Sequence, residues 1–370
     1  MLNPIVVILC DEDQYANGVR PREISNVLRR AGATVTVISS AEAMSEADSR
    51  RIGERWKLRF WRQLLRILNL IFVAQNRFPL LARGGLGTLT VASLMKVRAR
   101  LLQSYFSSRS SDLMISESPL NQLVFTRSRL ATCQILDLPS PFGDELFYGG
   151  RLSRGGQRVI NALERRAYES ADHVGFHWHT YTQYLREHKY QGTNIIEGSY
   201  GVHPKNHRAT FSPRPRLVYL GLLRGSWVNV PLLERLCALY EDIDIYGGPE
   251  PVGPLKKHYR GYAPDLDVLA GYQAGLVTIS DDPLRRSSFS SKHLEYISYG
   301  LPVLTPEWRS DAILDPSSIF YSEDRFLEAV NVLRDPSMWE ELSRASLEIA
   351  SELSWDRALE PIIRAVNELE

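Results

Sequence analysis

Cysteine is scarce in this chain, with three in 370 residues: Cys10, Cys133 and Cys237. They are far apart, odd in number and show no CxxC spacing. That argues against a disulfide framework or a cysteine-built zinc site and fits a reducing compartment. Long apolar runs are also missing. The longest, Leu64–Ala74, is broken by Arg66 and Asn69 and is shorter than the roughly 20 apolar residues that span a bilayer. The start has no basic stretch before its first apolar run. Ile5–Cys10 follows at once and leads into Asp11, Glu12 and Asp13, so it reads as a first β-strand and not as a signal peptide. An excess of one charge is lacking too: 44 Lys and Arg face 43 Asp and Glu, so global charge selects no partner. A cytoplasmic protein is the expectation.

What is present points to two domains. A single core rarely grows beyond roughly 250–300 residues, and this chain is longer. Its 44% hydrophobic and 24% charged content is that of an ordinary globular protein. Ile5–Cys10 is a short continuous apolar run, as in a strand buried on both faces of a parallel sheet. Arg22–Ala31 has helical spacing, Gly32 stops it, and Ala33–Ile38 is a second β-branched run. That order is a βαβ unit. Leu113–Ser116, Cys133–Leu136 and His173–Phe176 continue the strands. Gly201–Arg216, with Pro204, Pro213 and Pro215, reads as a linker. A second series then follows: strand Leu217–Leu220, helix Pro231–Tyr240, strand Ile243–Tyr246, strand Leu276–Ser280, helix Ser291–Tyr299 and strand Pro302–Leu304. The end, from Glu323, is helical. The expected architecture is α/β: two doubly wound Rossmann-like domains around a central cleft. Residues 1–203 form the first, 204–352 the second, and 353–370 a helix packing back on the first.

Ligands of such sheets bind at strand carboxyl ends, near helix N-termini. Ser290 and Ser291 begin a helix, where free N–H groups point outward. Lys292 in the first turn opposes the helix dipole, so it is poorly placed for stability and well placed for an anion. Glu295, three residues on, shares its face and can accept two ribose hydroxyls. The bland alternative is an exposed Lys–Glu pair worth little. Gly221 and Arg224 follow the first strand of the second half, where backbone can approach a phosphate and an arginine can bind it; a tight turn with a surface arginine is the alternative. Tyr246 and Gly247 close another strand and, with Tyr262, can frame a base.

The block Ser290–Leu304, SSKHLEYISYGLPVL, resembles the donor-site helix of GT-B glycosyltransferases. It is similar to glycosyltransferase family 4, and its Lys-x-x-Glu form is closer still to the xanthan glucuronosyltransferase type, which has Lys-x-x-Gln there. Other segments resemble the family in the same order: Asn17 to Arg20 its first glycine loop (with Gly18), Ala171-Asp172 its Ala-Asp before a strand, Tyr200 to Val202 its Asn-Gly-Val, and Gly261-Tyr262 its segment over the base. The resemblance implies a GT-B fold and transfer of a sugar from a nucleotide diphosphate-sugar, most readily a UDP-sugar, to a glycan or lipid-linked glycan, without metal or other cofactor. It implies a role in envelope or exopolysaccharide synthesis. Retaining family 4 enzymes pair two glutamates with seven residues between them; eight before Glu295 stands Ser287. That favours the inverting side, which needs a base. Asp137, at a strand end, is the first choice, with Asp13, Asp144 and Glu145 as rivals and a structural strand-end cap as the alternative. A GT-B epimerase and a non-catalytic, degenerate transferase remain rival readings.

Three further segments carry signals of metal or partner binding. Asp242-Ile243-Asp244 has the form of a metal-binding DxD, but it opens a strand of a β/α series, so no metal is expected. His177 and His179, spaced i, i+2, read as neighbours on one strand face, with no third ligand in spacing. The segment 50–109 carries thirteen Arg or Lys and one acid, Glu54. Within it Trp56, Phe60, Trp61, Leu64, Leu65, Leu68, Ile71 and Phe72 recur at helical spacing, interleaved with Arg59, Arg62 and Arg66. That suits an anionic membrane surface at the inner face; a domain-packing helix with a solvated basic side is the alternative. No nucleic-acid motif is present.

Overall fold

The computed structural model describes residues 4–10, 19–46, 55–77, 85–107, 109–123, 131–138, 140–223, 225 and 227–368. The chain divides into two units, Met1–Ser199 with Leu359–Glu370, and Tyr200–Ala358.

The first unit is built on a six-stranded parallel sheet: β1 (Ile5–Cys10), β2 (Thr34–Ser39), β3 (Ser111–Ser116), β4 (Ala131–Leu138), β5 (His173–Phe176) and β6 (Ile195–Glu197), in the order β2-β1-β3-β4-β5-β6. Val6 lies between Val35 of β2 and Leu113 of β3. Val6, Ile8 and Leu9 are buried, as the continuous apolar run requires of a central parallel strand. The order reverses at β1, so the crevice of this sheet opens at the carboxyl ends of β1 and β3. The Val19–Arg30 helix crosses from β1 to β2 and ends ahead of Gly32, which takes φ +96°. The Glu360–Asn367 helix packs near β6.

The basic segment forms two helices, Arg55–Arg77 and Gly85–Phe106, in contact with each other. Here the structure corrects an expectation. Trp61, read as a membrane anchor, packs inward with Leu64, Leu65 and Leu68 against Val97 and Leu101, and Arg100 lies over its ring at 4.5 Å. Phe72 packs toward Val91 and Met95. Arg62 donates to Ser45 O at 2.7 Å. The apolar face was legible, but its occupant is another helix of the chain. The side chain of Trp56 lies outside the described residues.

A second correction concerns His177 and His179. β5 ends at Phe176 and a helix begins at His179, so the two do not share a strand face: His177 is buried and His179 exposed.

The second unit carries a five-stranded parallel sheet: β7 (Leu217–Leu220), β8 (Ile243–Tyr246), β9 (Ala274–Leu276), β10 (Val303–Pro306) and β11 (Ser318–Tyr321), in the order β11-β10-β9-β7-β8. Its order reverses at β7, which places the crevice at the carboxyl ends of β7 and β9. The proline-rich stretch read as a linker is strapped along this unit. Lys205 N donates to Ser298 O at 3.0 Å, Ala209 N to Tyr299 O at 2.9 Å, and Val202 N to Leu353 O at 2.9 Å. No helix among the described residues is long and apolar enough to cross a membrane.

Candidate donor site

The switch point of the second sheet is closed by two glycine turns. After β7, Gly221 adopts φ +131°, and its N–H donates to Tyr246 O at 2.8 Å. After β8, Gly247 adopts φ +144°, and its N–H donates to Gly261 O at 3.0 Å while its carbonyl accepts from Tyr259 Oη at 2.7 Å. The turns touch: a Cβ at position 247 would run into the carbonyl of Gly221. Tyr262 follows Gly261 and is 71% exposed.

The Ser291–Ser298 helix delivers the polar groups. Tyr296 fixes its position. Leu220 N donates to Tyr296 Oη at 2.8 Å, and that hydroxyl donates to Leu276 O at 3.4 Å, so one side chain ties the helix to both β7 and β9. The ring of Tyr296 fills the space where Gly275 lacks a Cβ. Ser290 occupies the N-cap without a side-chain capping bond, and the first turn has no acid. The first N–H groups of a helix have no intrahelical acceptor, so this end is a donor-rich, positive pole.

Lys292 runs directly past Gly221; a Cβ there would lie 3.1 Å from Nζ and closer still to Cε. Nζ stands 5.8 Å from the centroid of Tyr219. Lys292 and Glu295 are half-buried. Among the described residues neither side chain has a hydrogen-bonded or ion-paired partner. Burial lowers the Lys292 pKa, with Arg309 adding to the shift and Glu295 opposing it. Burial pushes Glu295 up to about 7, with Lys292 opposing. Both groups are thus held short of full solvation of their charge, a condition that an anionic ligand with hydroxyl donors relieves.

Behind this pair is a frame that local sequence did not mark. Arg309 donates to Ser288 O at 2.6 Å and to Arg285 O at 3.4 Å, holding the turn that precedes the helix. The Arg285 guanidinium lies 3.3 Å from the centroid of Trp227. His293 is buried, with Nε2 at 3.2 Å from Ser317 Oγ; burial, reinforced by Arg309, pushes its pKa down to about 3, so it is neutral. Tyr246 Oη lies 3.1 Å from Tyr272 Oη, within hydrogen-bond distance. Ser290, Ser291, Lys292, Glu295, Gly221, Gly247 and Tyr246 all belong to these strand ends and the helix start. Arg224 and Gly18 lie outside the described residues.

The carboxylates of Asp242-Ile243-Asp244 are engaged by the chain. Asp242 takes Arg214 at 2.7 and 3.2 Å; Asp244 takes Arg216 at 2.7 Å, Arg260 at 2.7 Å and Tyr272 at 2.8 Å. Among the described residues no three His, Cys, Asp or Glu are grouped as a metal site.

In the first unit, Asp137 lies at the carboxyl end of β4 and is 1% exposed. Arg20 grips it with two bonds, Nε to Oδ2 at 2.8 Å and Nη2 to Oδ1 at 2.9 Å, and donates a third to Ser199 O at 2.8 Å. His177 Nε2 stands 3.2 Å from Oδ2. Burial alone would raise its pKa, but the charges of Arg20 and His177 outweigh burial and hold the carboxyl well below the usual range. Burial in turn lowers the His177 pKa. A carboxylate so held is a weak proton acceptor, and its geometry is that of a buried ion pair. Asp144 is also engaged, by Lys189 at 2.8 Å, Tyr184 at 2.7 Å and Gln157 at 2.6 Å. Glu145 is half-buried in the first turn of the Phe142–Tyr148 helix, and Asp13 lies outside the described residues.

The Glu295 environment sets a pH expectation. Its folded pKa of about 7 exceeds the ordinary 4.5, so the folded protein binds more protons than the unfolded chain between those values. The contribution of Glu295 to stability is therefore full below about 4.5 and is lost as pH rises toward 7. Glu295→Gln is expected to flatten that slope. Thermal unfolding of both proteins across this window checks it; parallel profiles would contradict the assignment.

No protein-family model matches the chain, and no curated protein matches it in sequence. Solved structures do match. Sucrose-phosphate synthase from Thermosynechococcus elongatus is similar over 99% of both chains, with TM-score 0.62 at 13% identity. The lipopolysaccharide outer core galactosyltransferase WaaB is similar over 98% of this chain and 99% of its own, with TM-score 0.60 at 12% identity. HepE of Anabaena, solved with UDP and glucose, is similar over 99% of this chain and 100% of its own, with TM-score 0.59 at 10% identity. At such identities the likeness is one of fold, and together with two parallel-sheet α/β units it shows that this chain has the GT-B fold of two Rossmann-like domains.

Proposed function

We propose that this protein is a glycosyltransferase that moves a hexosyl or uronosyl group from a nucleotide diphosphate-sugar to a hydroxyl of a glycan or lipid-linked glycan, without a metal. One observation carries the reading: Lys292 and Glu295, half-buried and without partners among the described residues, stand at the donor-rich start of a helix against the Gly221 turn. An anionic diphosphate suits Lys292, Ser290, Ser291, the helix N–H groups and Arg224. Ribose hydroxyls suit Glu295, and the base suits Tyr246, Gly247 and Tyr262. Three solved neighbours with TM-scores of 0.59–0.62 support it, one of them a galactosyltransferase and one holding UDP and glucose. Uridine is the proposed nucleoside. A cytoplasmic setting and a place in envelope or exopolysaccharide synthesis belong to the same proposal.

In the reaction, the acceptor oxygen forms a bond to the anomeric carbon as the bond to the β-phosphate oxygen breaks. The electron pair leaves with the diphosphate, which Lys292 and the helix start stabilise. The acceptor proton passes to a base. An inverting course is proposed because Ser287 stands where a second glutamate would be. Asp137, held by Arg20 and His177, then serves as a positioning residue, and the base is proposed at Asp13 or Glu145.

Calorimetry with UDP, GDP and dTDP tests the site. One diphosphate is expected to bind at micromolar Kd, and Lys292→Ala/Glu295→Ala to weaken it by about 100-fold or more, as loss of charge-assisted contacts implies. Binding by none of the three would remove the main support. Binding without sugar transfer to any acceptor would favour the non-catalytic reading, and sugar interconversion without acceptor the epimerase.

A further inference from the structure

The Arg55–Arg77 helix has a second apolar face. With Trp61, Leu64, Leu65 and Leu68 turned toward the Gly85–Phe106 helix, Phe60, Ile67 and Leu70 are left outside, 55%, 53% and 70% exposed. Their spacing, with exposed Gln63 and Ala74, follows the three-and-four residue steps of one helix stripe. Single exposed apolar side chains are common, but a lengthwise stripe of large ones marks an interaction surface. Arg59 and Arg66 are exposed beside Phe60 and Ile67. Neither has a carboxylate partner among the described residues.

The charge around the stripe is of one sign. From residue 55 to residue 111 there is no Asp or Glu, while eleven Arg or Lys occur. The Gly85–Phe106 helix adds exposed Lys96 and Arg100. Leu68 packs with Val97 and Leu101, and Phe72 with Val91 and Met95, so the two helices run antiparallel. Leu86 and Leu89, 50% and 64% exposed, therefore lie at the same end of the hairpin as Leu70.

From this juxtaposition we propose that the Arg55–Arg77 helix seats the protein on an anionic bilayer surface. Phe60, Ile67 and Leu70 enter the acyl boundary, and Arg59 and Arg66 reach the phosphates. Arginine stems lie along apolar surface while their heads stay at the polar level, which suits their place beside the stripe. The helix lies in the interface and does not cross it. The absence of acid over 57 residues decides for lipid phosphate over a neutral apolar partner, since uncompensated positive charge is attracted by an anionic leaflet.

The test is flotation of the full chain with vesicles of phosphatidylcholine alone or with one-third phosphatidylglycerol. The wild type is expected to float with the anionic vesicles only, and less as salt rises from roughly 0.05 M to 0.5 M, where charges are screened over shorter distances. Phe60→Asp/Leu70→Asp and Arg59→Glu/Arg66→Glu are each expected to lower bound protein by about tenfold or more, with unchanged melting temperature and unchanged UDP affinity. UDP affinity keeps the two proposals apart, because the donor site can fail while flotation holds, and the reverse. A wild type that stays unbound at low salt, equal binding to neutral vesicles, or flotation indifferent to both double variants would each overturn the proposal. So would lipid-free dimerisation abolished by Phe60→Asp/Leu70→Asp, which would make the stripe a contact between copies.

Discussion

Asp137→Asn is expected to cost about 3–5 kcal/mol of stability, because it leaves the buried Arg20 guanidinium facing a neutral amide. Arg20 and Asp137 are buried, at 2% and 1% exposure, and Asp137 takes two of the three bonds that Arg20 makes. A base role and a pairing role make different forecasts here. A base replaced by its amide leaves the fold intact and abolishes turnover. A paired carboxylate replaced by its amide lowers the melting temperature. The double variant Arg20→Met/Asp137→Leu is expected to be more stable than either single change, since removing both charges removes the uncompensated one. Thermal unfolding of the three variants decides. A fully stable Asp137→Asn protein with no transfer activity would return the base to Asp137.

The contrast between Asp137 and Lys292 shows what the sequence could say. Lys292 and Glu295 are three residues apart at the start of one helix, so spacing alone placed them on one face, with the serines at the helix start before them. Asp137 was legible as a strand-end acid, but its partner Arg20 is 117 residues away, and no local pattern announces that pairing. Strands followed the same logic. β1 and β7 stand out because a central parallel strand must be apolar on both faces. β6, three residues with no run of its own, is a strand only because β5 lies beside it. The Arg55–Arg77 helix was legible as amphipathic, yet what covers its apolar side is a tertiary fact. Gly85–Phe106 lacks the periodicity that would have identified it as the partner. Tyr296 and Gly275 left no signal either, since their fit is made by the approach of a helix to a strand 20 residues earlier.

The two glycine turns at the candidate donor site give the other large expected effect. Gly247→Ala is expected to destabilise by about 2–4 kcal/mol, combining backbone strain at a glycine-only conformation with a steric clash. At φ +144° an L side chain is strained, and the new Cβ would stand 2.7 Å from the carbonyl carbon of Gly221. That neighbour is backbone, so relief requires the β7 turn itself to move. Gly221→Ala differs in what gives way. At φ +131° it is strained too, but its Cβ meets the flexible end of Lys292. The lysine swings aside, so part of the cost is expected in nucleotide affinity, about tenfold or more, the scale of one lost charge-assisted contact. Gly271→Ala is the control: its Cβ meets nothing within 4 Å, and it is expected to stay within about 0.5 kcal/mol of wild type. Unfolding and UDP calorimetry on the three variants separate the turn's two tasks. Gly247 keeps two strand ends in contact, and Gly221 keeps Lys292 in the crevice; if Gly221→Ala lost stability but kept full UDP affinity, Lys292 would not be the phosphate ligand.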